Sequence, residues 1–226
     1  MNRPSTIAID GPSASGKSTI GALLAEQLGY VYFDSGVMYR AVTWEAIQRG
    51  IPVEDEEAVT RLSERIVIQV IRPTADDGRQ YTVLADGQDI TWEIRRPEVE
   101  SQVSPVSAYR GVRAALTLQQ RRIGRGSRIV MVGRDIGTVV LPEADLKVYL
   151  DASVEERAQR RFREKRQRGE ACVYEDVLTA MRRRDQIDSS RAVAPLRPAD
   201  DAMCIDTERI GVEDVLERVM ALVTDP

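Results

Sequence analysis

The sequence contains no histidine, and this absence excludes several classes of catalytic site. Serine triads, HExxH metalloproteases and imidazole acid/base catalysis all need the imidazole ring. Cysteine is scarce as well, since Cys172 and Cys204 are the two in the chain and neither belongs to a CxxC pair. We therefore expect two reduced thiols, with neither a disulfide framework nor a zinc ribbon.

Long apolar runs are also missing. No stretch approaches the roughly 18 apolar residues of a membrane-spanning helix, and the first residues show none of the apolar length of a signal peptide. We therefore expect a cytoplasmic protein. The 226 residues, 42% of them hydrophobic and 30% charged, fit one globular domain that carries an insertion.

Lysine is rare, with three residues against 29 arginines, and the net charge is −4. A mildly acidic total argues against a general nucleic-acid binder. The planar guanidinium group of arginine matches phosphate oxygens two at a time. Local clusters of arginine are therefore candidate phosphate sites.

Short apolar runs alternate with segments of helical periodicity and predict a five-stranded parallel α/β core. The expected strands are residues 5–10, 31–33, 128–132, 146–150 and 202–205. The expected helices are residues 19–28, about 36–46, 97–122, 153–168, 174–187 and 212–223. In the middle, residues 65–71 and 80–84 predict two antiparallel strands joined by a loop that contains Asp77-Gly78.

Residues 11–18 fit the pattern GxxxxGK[ST] at every fixed position, between a predicted strand and a predicted helix. In this motif, backbone N–H groups curl around phosphate oxygens and the helix N-terminus adds further donors. The spacing predicts a loop for the phosphates of ATP, with Lys17 at the β and γ phosphates and Ser18 as a ligand of Mg²⁺. The expected ATP-binding residues are Gly11, Pro12, Ser13, Ala14, Ser15, Gly16, Lys17, Ser18 and Thr19.

Two observations separate this chain from other proteins with such a loop. Conventional GTPases read guanine through an NKxD motif, and Asn2 is the single asparagine here. Motor and helicase ATPases usually end a strand in an acidic pair, whereas Arg134-Asp135 follows the strand at 128–132. A compact small-molecule kinase fits best. The alternative from another class is an RNA-associated or regulatory nucleotide-binding protein.

Four segments resemble the bacterial cytidylate kinases, a branch of the nucleoside monophosphate kinases. They are residues 11–19, Asp34 to Arg40 (DSGVMYR), Gly133 to Val140 (GRDIGTVV) and Arg191 to Leu196 (RAVAPL). The resemblance implies a P-loop three-layer α/β fold with a small mixed monophosphate-binding insertion and a short arginine-rich lid. The core would span about residues 1–35 and 106–226, the insertion about 36–105 and the lid about 153–170.

The resemblance also implies roles for single residues. The groups that contact the cytosine would be Ser35, Ser104, Arg113 and Asp135, with Ser101 and Ser107 as alternatives to Ser104. The acceptor phosphate would be held by Arg40, Arg134 and Arg191, and the ribose by Arg184 and Asp188. A cytosine edge needs an acceptor for its amine and donors for its carbonyl and N3, and an Asp beside an Arg and a Ser supplies both.

Residues 153–169 carry a dense run of basic side chains, with Arg157, Arg160 and Arg161 on one predicted helix face. A solvated helix, or one that binds nucleic acid, would show the same pattern. The resemblance implies a lid over ATP, with Arg157 and Arg161 joining Lys17 as the catalytic residues.

The expected reaction is transfer of the γ-phosphoryl group of ATP, as its Mg²⁺ complex, to CMP or dCMP in pyrimidine metabolism. The acceptor oxygen is already anionic near neutral pH, so a catalytic base is not required. This agrees with a chain that lacks histidine. We expect a monomer that acts on these small molecules and binds neither nucleic acid nor membrane.

Overall fold

The computed structural model describes residues 3–125 and 128–224. In these residues the strands are β1 Thr6–Asp10, β2 Val31–Asp34, β3 Ile68–Ile71, β4 Thr82–Ala85, β5 Gln88–Asp89, β6 Ile129–Gly133, β7 Leu146–Asp151 and β8 Met203–Asp206. The helices are α1 Lys17–Leu28, α2 Gly36–Gln48, α3 Glu56–Arg65, α4 Pro97–Ala108, α5 Arg110–Gly124, α6 Val154–Gln167, α7 Tyr174–Ser190 and α8 Val212–Thr224. A 3₁₀ turn spans Glu93–Arg95 and a π turn spans Ile136–Val140. Within the described ranges, no helix combines the length and the apolarity that a membrane crossing requires.

The chain divides into two compact units. We name residues 1–32 and 124–226 the core unit, and residues 33–123 the inserted unit. Helix α5 thus belongs to the inserted unit, whereas the sequence assigned residues from 106 onward to the core.

The central sheet has five parallel strands in the order β2-β6-β1-β7-β8, which confirms the predicted fold class. Strand β1 pairs with β6 so that Asp10 lies opposite Gly133. Apolar side chains such as Ile9 and Val132 are fully buried, and α1 and α8 pack on them through Leu24 and Val219. Because parallel strands end at the same edge, the segments that follow β1 and β6 begin side by side.

Helices α6 and α7 form a pair whose small apolar core contains Ala158, Val177 and Met181. The N-cap of α6 is Ser153, whose side chain accepts a hydrogen bond from the N–H of Glu156 at 3.3 Å. Acidic residues in the first turn and basic residues in the last turn suit the helix dipole. The helices predicted at 153–168 and 174–187 are therefore present.

The inserted unit contains an antiparallel sheet in the order β3-β4-β5. The expected strand pair is confirmed, but strand β5 was not predicted from the sequence. Asp86 and Gly87 have φ of 48° and 85°, values suited to a two-residue hairpin turn. The strand behind this turn has two residues, too few to show an alternating pattern.

Two further differences from the predicted elements lie in the inserted unit. Helix α3 was not predicted, although the sequence offers an N-cap at Asp55, which accepts from the Ala58 N–H, and a buried face with Val59 and Leu62. The single helix expected at 97–122 is divided into α4 and α5, because Tyr109 is extended, with φ −63° and ψ 125°. The Tyr109 hydroxyl donates to the Val53 carbonyl at 2.7 Å. This contact depends on the tertiary fold, so the periodicity of the sequence gave no sign of the break.

Candidate active site

The loop between β1 and α1 has the backbone of a phosphate-binding loop. Gly11, Ala14 and Gly16 have φ of 154°, 60° and 94°, conformations that help a loop direct its N–H groups toward an anion. A Cβ atom on Gly11 would lie 2.2 Å from the Leu150 carbonyl oxygen, so only glycine fits. Helix α1 begins at Lys17, immediately after the loop, which confirms the predicted order of strand, loop and helix.

Three carbonyl oxygens of this loop accept hydrogen bonds from side chains. Lys17 Nζ donates to Pro12 O at 2.8 Å. Arg157 Nη1 donates to Ser13 O at 3.2 Å, and Thr207 Oγ1 donates to Ser15 O at 3.3 Å. Because these bonds occupy oxygens that would repel a phosphate, they favour a loop that offers its N–H groups to the ligand.

The residues of the loop fit the phosphates of ATP and a magnesium ion. The Ser15 hydroxyl is buried and has no hydrogen-bond partner among the described residues. In the same part of the chain, no side chain caps the N-terminus of α1. Residues 3–125 and 128–224 hold no group of three or more His, Cys, Asp or Glu side chains suited to a metal. A magnesium ion bound with ATP needs few protein ligands, because phosphate oxygens and water supply most of them.

Arg157 lies buried at the base of the loop, with its side chain 6% exposed. Its Nη2 contacts Asp185 Oδ2 at 2.7 Å, and its Nη1 lies 3.3 Å from Asp185 Oδ1. Its Nε donates to the Ala152 carbonyl at 2.9 Å. Together with the bond to Ser13, these contacts tie α6, α7 and the loop to one guanidinium group.

The other arginines on this face of α6 are placed differently. Arg161 is half-buried and pairs with Glu164 at 2.7 Å. Arg160 donates to the Thr207 carbonyl at 2.6 Å and to Thr207 Oγ1 at 3.1 Å. Thr207 was not predicted as a site residue. A threonine that follows a short strand carries no sequence signal of this contact.

Charged side chains form a cluster at the same edge of the sheet, which we name the edge cluster; its members are Arg134, Asp135, Asp188 and Arg191. Arg191 Nη1 lies 3.5 Å from Asp188 Oδ1, and Arg191 Nη2 lies 3.7 Å from Asp135 Oδ1. Arg134 Nε is hydrogen-bonded to Asp188 Oδ2. The structure therefore brings together four of the residues that the sequence assigned to the acceptor nucleotide.

Asp188 remains ionised in this cluster although it is 1% exposed. Burial by itself would raise the pKa of its carboxyl group. The nearby charges of Arg134, Arg184 and Arg191 outweigh burial and hold the pKa below its ordinary value. Arg184 therefore acts on Asp188 from one helical turn earlier on α7.

Asp10 is a buried acid that the sequence did not indicate as a site residue. Its two carboxylate oxygens accept hydrogen bonds from the N–H groups of Ile136 and Gly137, both at 2.8 Å. Burial raises the pKa of Asp10 to about 7, although these two bonds act in the opposite direction. Its position directly before Gly11 is the one signal that the sequence offers.

In the inserted unit, the predicted site residues lie on α2, α4 and α5 or next to them. Ser35 is buried and directly precedes α2, and Arg40 Nη1 donates to the Ile94 carbonyl at 3.4 Å. Arg113 is 2% exposed; its Nη1 donates to the Ser107 carbonyl at 2.9 Å. Its guanidinium carbon lies 5.3 Å from the centre of the Tyr39 ring. A cation–π contact and a carbonyl thus hold this arginine in place.

The three serines of α4 differ in what their hydroxyl groups contact. Ser101 donates to the Glu98 carbonyl at 3.0 Å, and Ser107 donates to the Ser104 carbonyl at 2.9 Å. Ser104 is 9% exposed, and its hydroxyl makes no hydrogen bond to another described residue. Of the three, Ser104 has the hydroxyl group that is available to a ligand.

Arg95 is a cation of the inserted unit that the sequence analysis did not single out. Its guanidinium carbon lies 5.1 Å from the Trp92 ring centre and 5.8 Å from that of Tyr81. Burial and the charge of Asp34 raise the pKa of Tyr81 to about 12, while Arg95 and Arg40 act in the opposite direction. Arg95 and Arg40 therefore place positive charge around one tyrosine hydroxyl.

Comparisons with known proteins agree on one family. The sequence model of the cytidylate kinase family matches residues 7–225. A cytidylate kinase of Herpetosiphon aurantiacus is 49% identical over 223 residues, which cover 99% of this chain and 96% of that protein. One of Chloroflexus aggregans is 53% identical over 205 residues, which cover 91% and 87%. A gluconokinase structure from Sinorhizobium meliloti, with a TM-score of 0.50 at 14% identity over 99% of this chain and 94% of that one, shares the fold.

Proposed function

The chain belongs to the cytidylate kinase family, and we propose that its loop at residues 11–18 takes ATP while its edge cluster takes the acceptor. As a member of this family, it is an ATP-dependent kinase that phosphorylates CMP or dCMP. The observation that carries the proposal is the register of β1 and β6, in which Asp10 lies opposite Gly133. The loop and the residues Arg134 and Asp135 therefore begin at adjacent strand ends, where parallel α/β sheets bind ligands.

The loop would hold the triphosphate of ATP through the N–H groups of residues 11–19 and the ammonium group of Lys17. Lys17 is 7% exposed, and it already lies over the loop through its bond to Pro12. A charge in such a dry position acts on a phosphate more strongly than it would in water. The Ser18 hydroxyl would be the protein ligand of Mg²⁺, and the ion would supply positive charge that offsets the negative charge of the ATP phosphates.

The edge cluster supplies both signs of charge that a nucleoside monophosphate needs. Arg134 and Arg191 would bind the acceptor phosphate, because guanidinium groups pair with phosphate oxygens. Asp135 would accept from the exocyclic amine of cytosine. Asp188, which its arginines keep ionised, would with Arg184 bind the ribose hydroxyls.

The family resemblance and the local contacts support CMP-binding roles for four residues of the inserted unit, Ser35, Arg40, Ser104 and Arg113. Ser104 has a hydroxyl group without a partner among the described residues. Arg113 is held against Tyr39, so its side chain would lose little freedom when a ligand binds. Ser35 would contact the base, and Arg40 the phosphate. We infer these roles residue by residue.

Transfer of the phosphoryl group would need positioning and positive charge, and no base, because the attacking oxygen belongs to an anionic phosphate. Lys17 would act directly on the transferring group. Arg161, half-buried on α6, would add charge when ATP is bound. The contacts of Arg157 support a contribution through the loop, since its donors bind Ser13, Ala152 and Asp185.

We propose further that the protein acts as a monomer in the cytoplasm, on small molecules alone. The family resemblance supports this proposal. The acidic net charge of −4 also disfavours binding to nucleic acid.

Removal of Mg²⁺ is expected to stop the reaction. In excess EDTA, ADP formation from ATP and CMP should fall to the background rate, and added Mg²⁺ should restore it. The physical reason is that uncompensated charge on the β and γ phosphates opposes transfer. A coupled assay of ADP measures this effect.

The role of Ser18 is tested by two substitutions of the same residue. We expect Ser18→Ala to raise the Mg²⁺ concentration needed for half-maximal rate by roughly tenfold, the worth of one direct ligand or hydrogen bond. Ser18→Thr keeps the hydroxyl and should stay near the parent value. Equal Mg²⁺ requirements in all three proteins would show that Ser18 is not a metal ligand.

A further inference from the structure

The carboxylate of Asp10 joins the start of the phosphate-binding loop to the segment that follows β6. We propose that Asp10 is a positioning residue, which fixes Arg134 and Asp135 for the acceptor nucleotide by binding the N–H groups of Ile136 and Gly137. The inference rests on the acceptor role that is proposed for Arg134 and Asp135. Asp10 itself would touch neither substrate.

The first support is the geometry of the contact. Each carboxylate oxygen takes one backbone N–H at 2.8 Å, a bidentate arrangement in a site where Asp10 is 4% exposed. The two N–H groups open the π turn at Ile136–Val140, and the first N–H groups of such a turn have no partner within it. Asp10 therefore caps this turn from a neighbouring strand.

The second support is that the capped turn begins directly after Asp135. The Asp135 backbone has φ −151° and ψ 25°, and its carbonyl accepts from the N–H groups of Val139 and Val140 at 2.9 and 3.1 Å. The direction of the Asp135 side chain therefore depends on where this turn is anchored. Gly137 leaves room for the stem of Lys147, because a Cβ at this position would lie 3.2 Å from Lys147 Cδ.

The third support is the electrostatic cost of this arrangement. A buried carboxylate beside Asp135 is unfavourable, and burial together with Asp135 raises the pKa of Asp10. Lys17 and the two N–H groups offset this effect in part. A neutral side chain such as an amide offers one acceptor oxygen, which would suffice for a single N–H group. A carboxylate offers two acceptor oxygens and can bind two N–H groups at once.

The two substrates should respond differently to a change at Asp10. The ATP loop is held independently of the Asp10 side chain, by Lys17, Arg157 and Thr207 on its carbonyl oxygens and by the Leu150 carbonyl against Gly11. The turn after Asp135 lacks such a second set of side-chain contacts on its first two N–H groups in the described part of the chain. Substitution of Asp10 should therefore weaken the binding of CMP more than the binding of ATP.

The test is Asp10→Asn, which keeps the size of the side chain but turns an amide NH₂ toward one of the two N–H groups. We expect KM for CMP to rise at least tenfold and KM for ATP to stay within twofold of the parent. The matched control is Asp145→Asn. Asp145 also accepts two backbone N–H groups, from Ser5 and Thr6 at 2.8 and 3.0 Å, but at the opposite end of β1. Both KM values should stay within twofold in that control.

Asp10→Glu provides a second variant in case Asp10→Asn does not fold. It keeps the carboxylate but displaces it by one methylene from the N–H groups of Ile136 and Gly137, so it should also raise KM for CMP selectively. Equal rises for CMP and ATP, a rise for ATP alone or a changed Mg²⁺ requirement in these variants would overturn the inference. Failure of the unmodified enzyme to phosphorylate CMP would instead contradict the proposed function. That outcome is measured on the unmodified enzyme, without any variant.

Discussion

We expect Lys17→Met to lower kcat by about 10³-fold, the scale of losing one positioned charge that stabilises a transition state. The methionine keeps an unbranched apolar stem in a site that is 7% exposed, so the core should stay packed. The lost interaction is the ammonium charge at the β and γ phosphates, which matters most when the phosphoryl group is in transfer. The change in kcat should therefore exceed the change in KM for ATP.

Steady-state kinetics with circular dichroism of the same samples makes this measurement. Lys147→Met is the matched control, because Lys147 also carries a mostly buried stem but pairs with Asp201 at 2.8 Å at the surface. The control should keep kcat within about twofold, as expected for an exposed ion pair. A folded Lys17→Met enzyme with parental turnover would remove the loop from the mechanism.

Asp135→Asn is expected to reduce kcat/KM for CMP by roughly 10- to 150-fold, the worth of one hydrogen bond to a charged group of about 1.5–3 kcal/mol. The physical reason is the exchange of an acceptor for a donor at the position that we propose faces the cytosine amine. Uracil presents an oxygen where cytosine presents this amine. Asp135→Asn should therefore lower kcat/KM for CMP and raise kcat/KM for UMP. The ratio of the two should fall by a larger factor than kcat/KM for CMP does.

The comparison requires KM for ATP in the same variant, which should stay near the parent value. Asp201→Asn serves as the control, because Asp201 lies at the surface of the core unit and pairs with Lys147. An unchanged ratio of CMP to UMP in Asp135→Asn would show that another group reads the base.

The fold was largely predictable from local patterns. The five core strands are short apolar runs, of which β1 and β6 are buried on both faces, and the loop at residues 11–18 is recognisable from its spacing. Two features that escaped prediction lack such a pattern, because strand β5 has two residues and the break at Tyr109 arises from a bond to Val53 that is distant in sequence. Helix α3 was predictable, since Asp55 is a good N-cap and acidic residues fill the first turn.

The site was less predictable than the fold. The resemblance named Arg134, Asp135, Asp188 and Arg191, and the structure places these four together. Asp10 could not be found in this way, because its partners are backbone N–H groups more than 120 residues later. Buried tertiary contacts of this kind leave no periodicity, and no residue type marks them.

The contacts of Arg157 illustrate the same point. The family resemblance implied a catalytic lid arginine, a role that stays a prediction, and the side chain contacts a buried set of acceptors that includes the loop carbonyl of Ser13. Sequence spacing predicts which residues share a helix face. It does not predict which neighbouring element that face meets.

The most direct test of the central claim is the rate of ADP formation with different acceptors offered to the unmodified protein. The panel is CMP, dCMP, UMP, AMP and shikimate, each with ATP and Mg²⁺. We predict that kcat/KM for CMP or dCMP exceeds that for AMP by at least about 100-fold, because adenine would not place a matching amine at Asp135, the buried group that we propose accepts from the amine of cytosine. Faster turnover of AMP or of shikimate than of CMP, or salt-dependent retention of RNA without any turnover of monophosphates, would contradict the account.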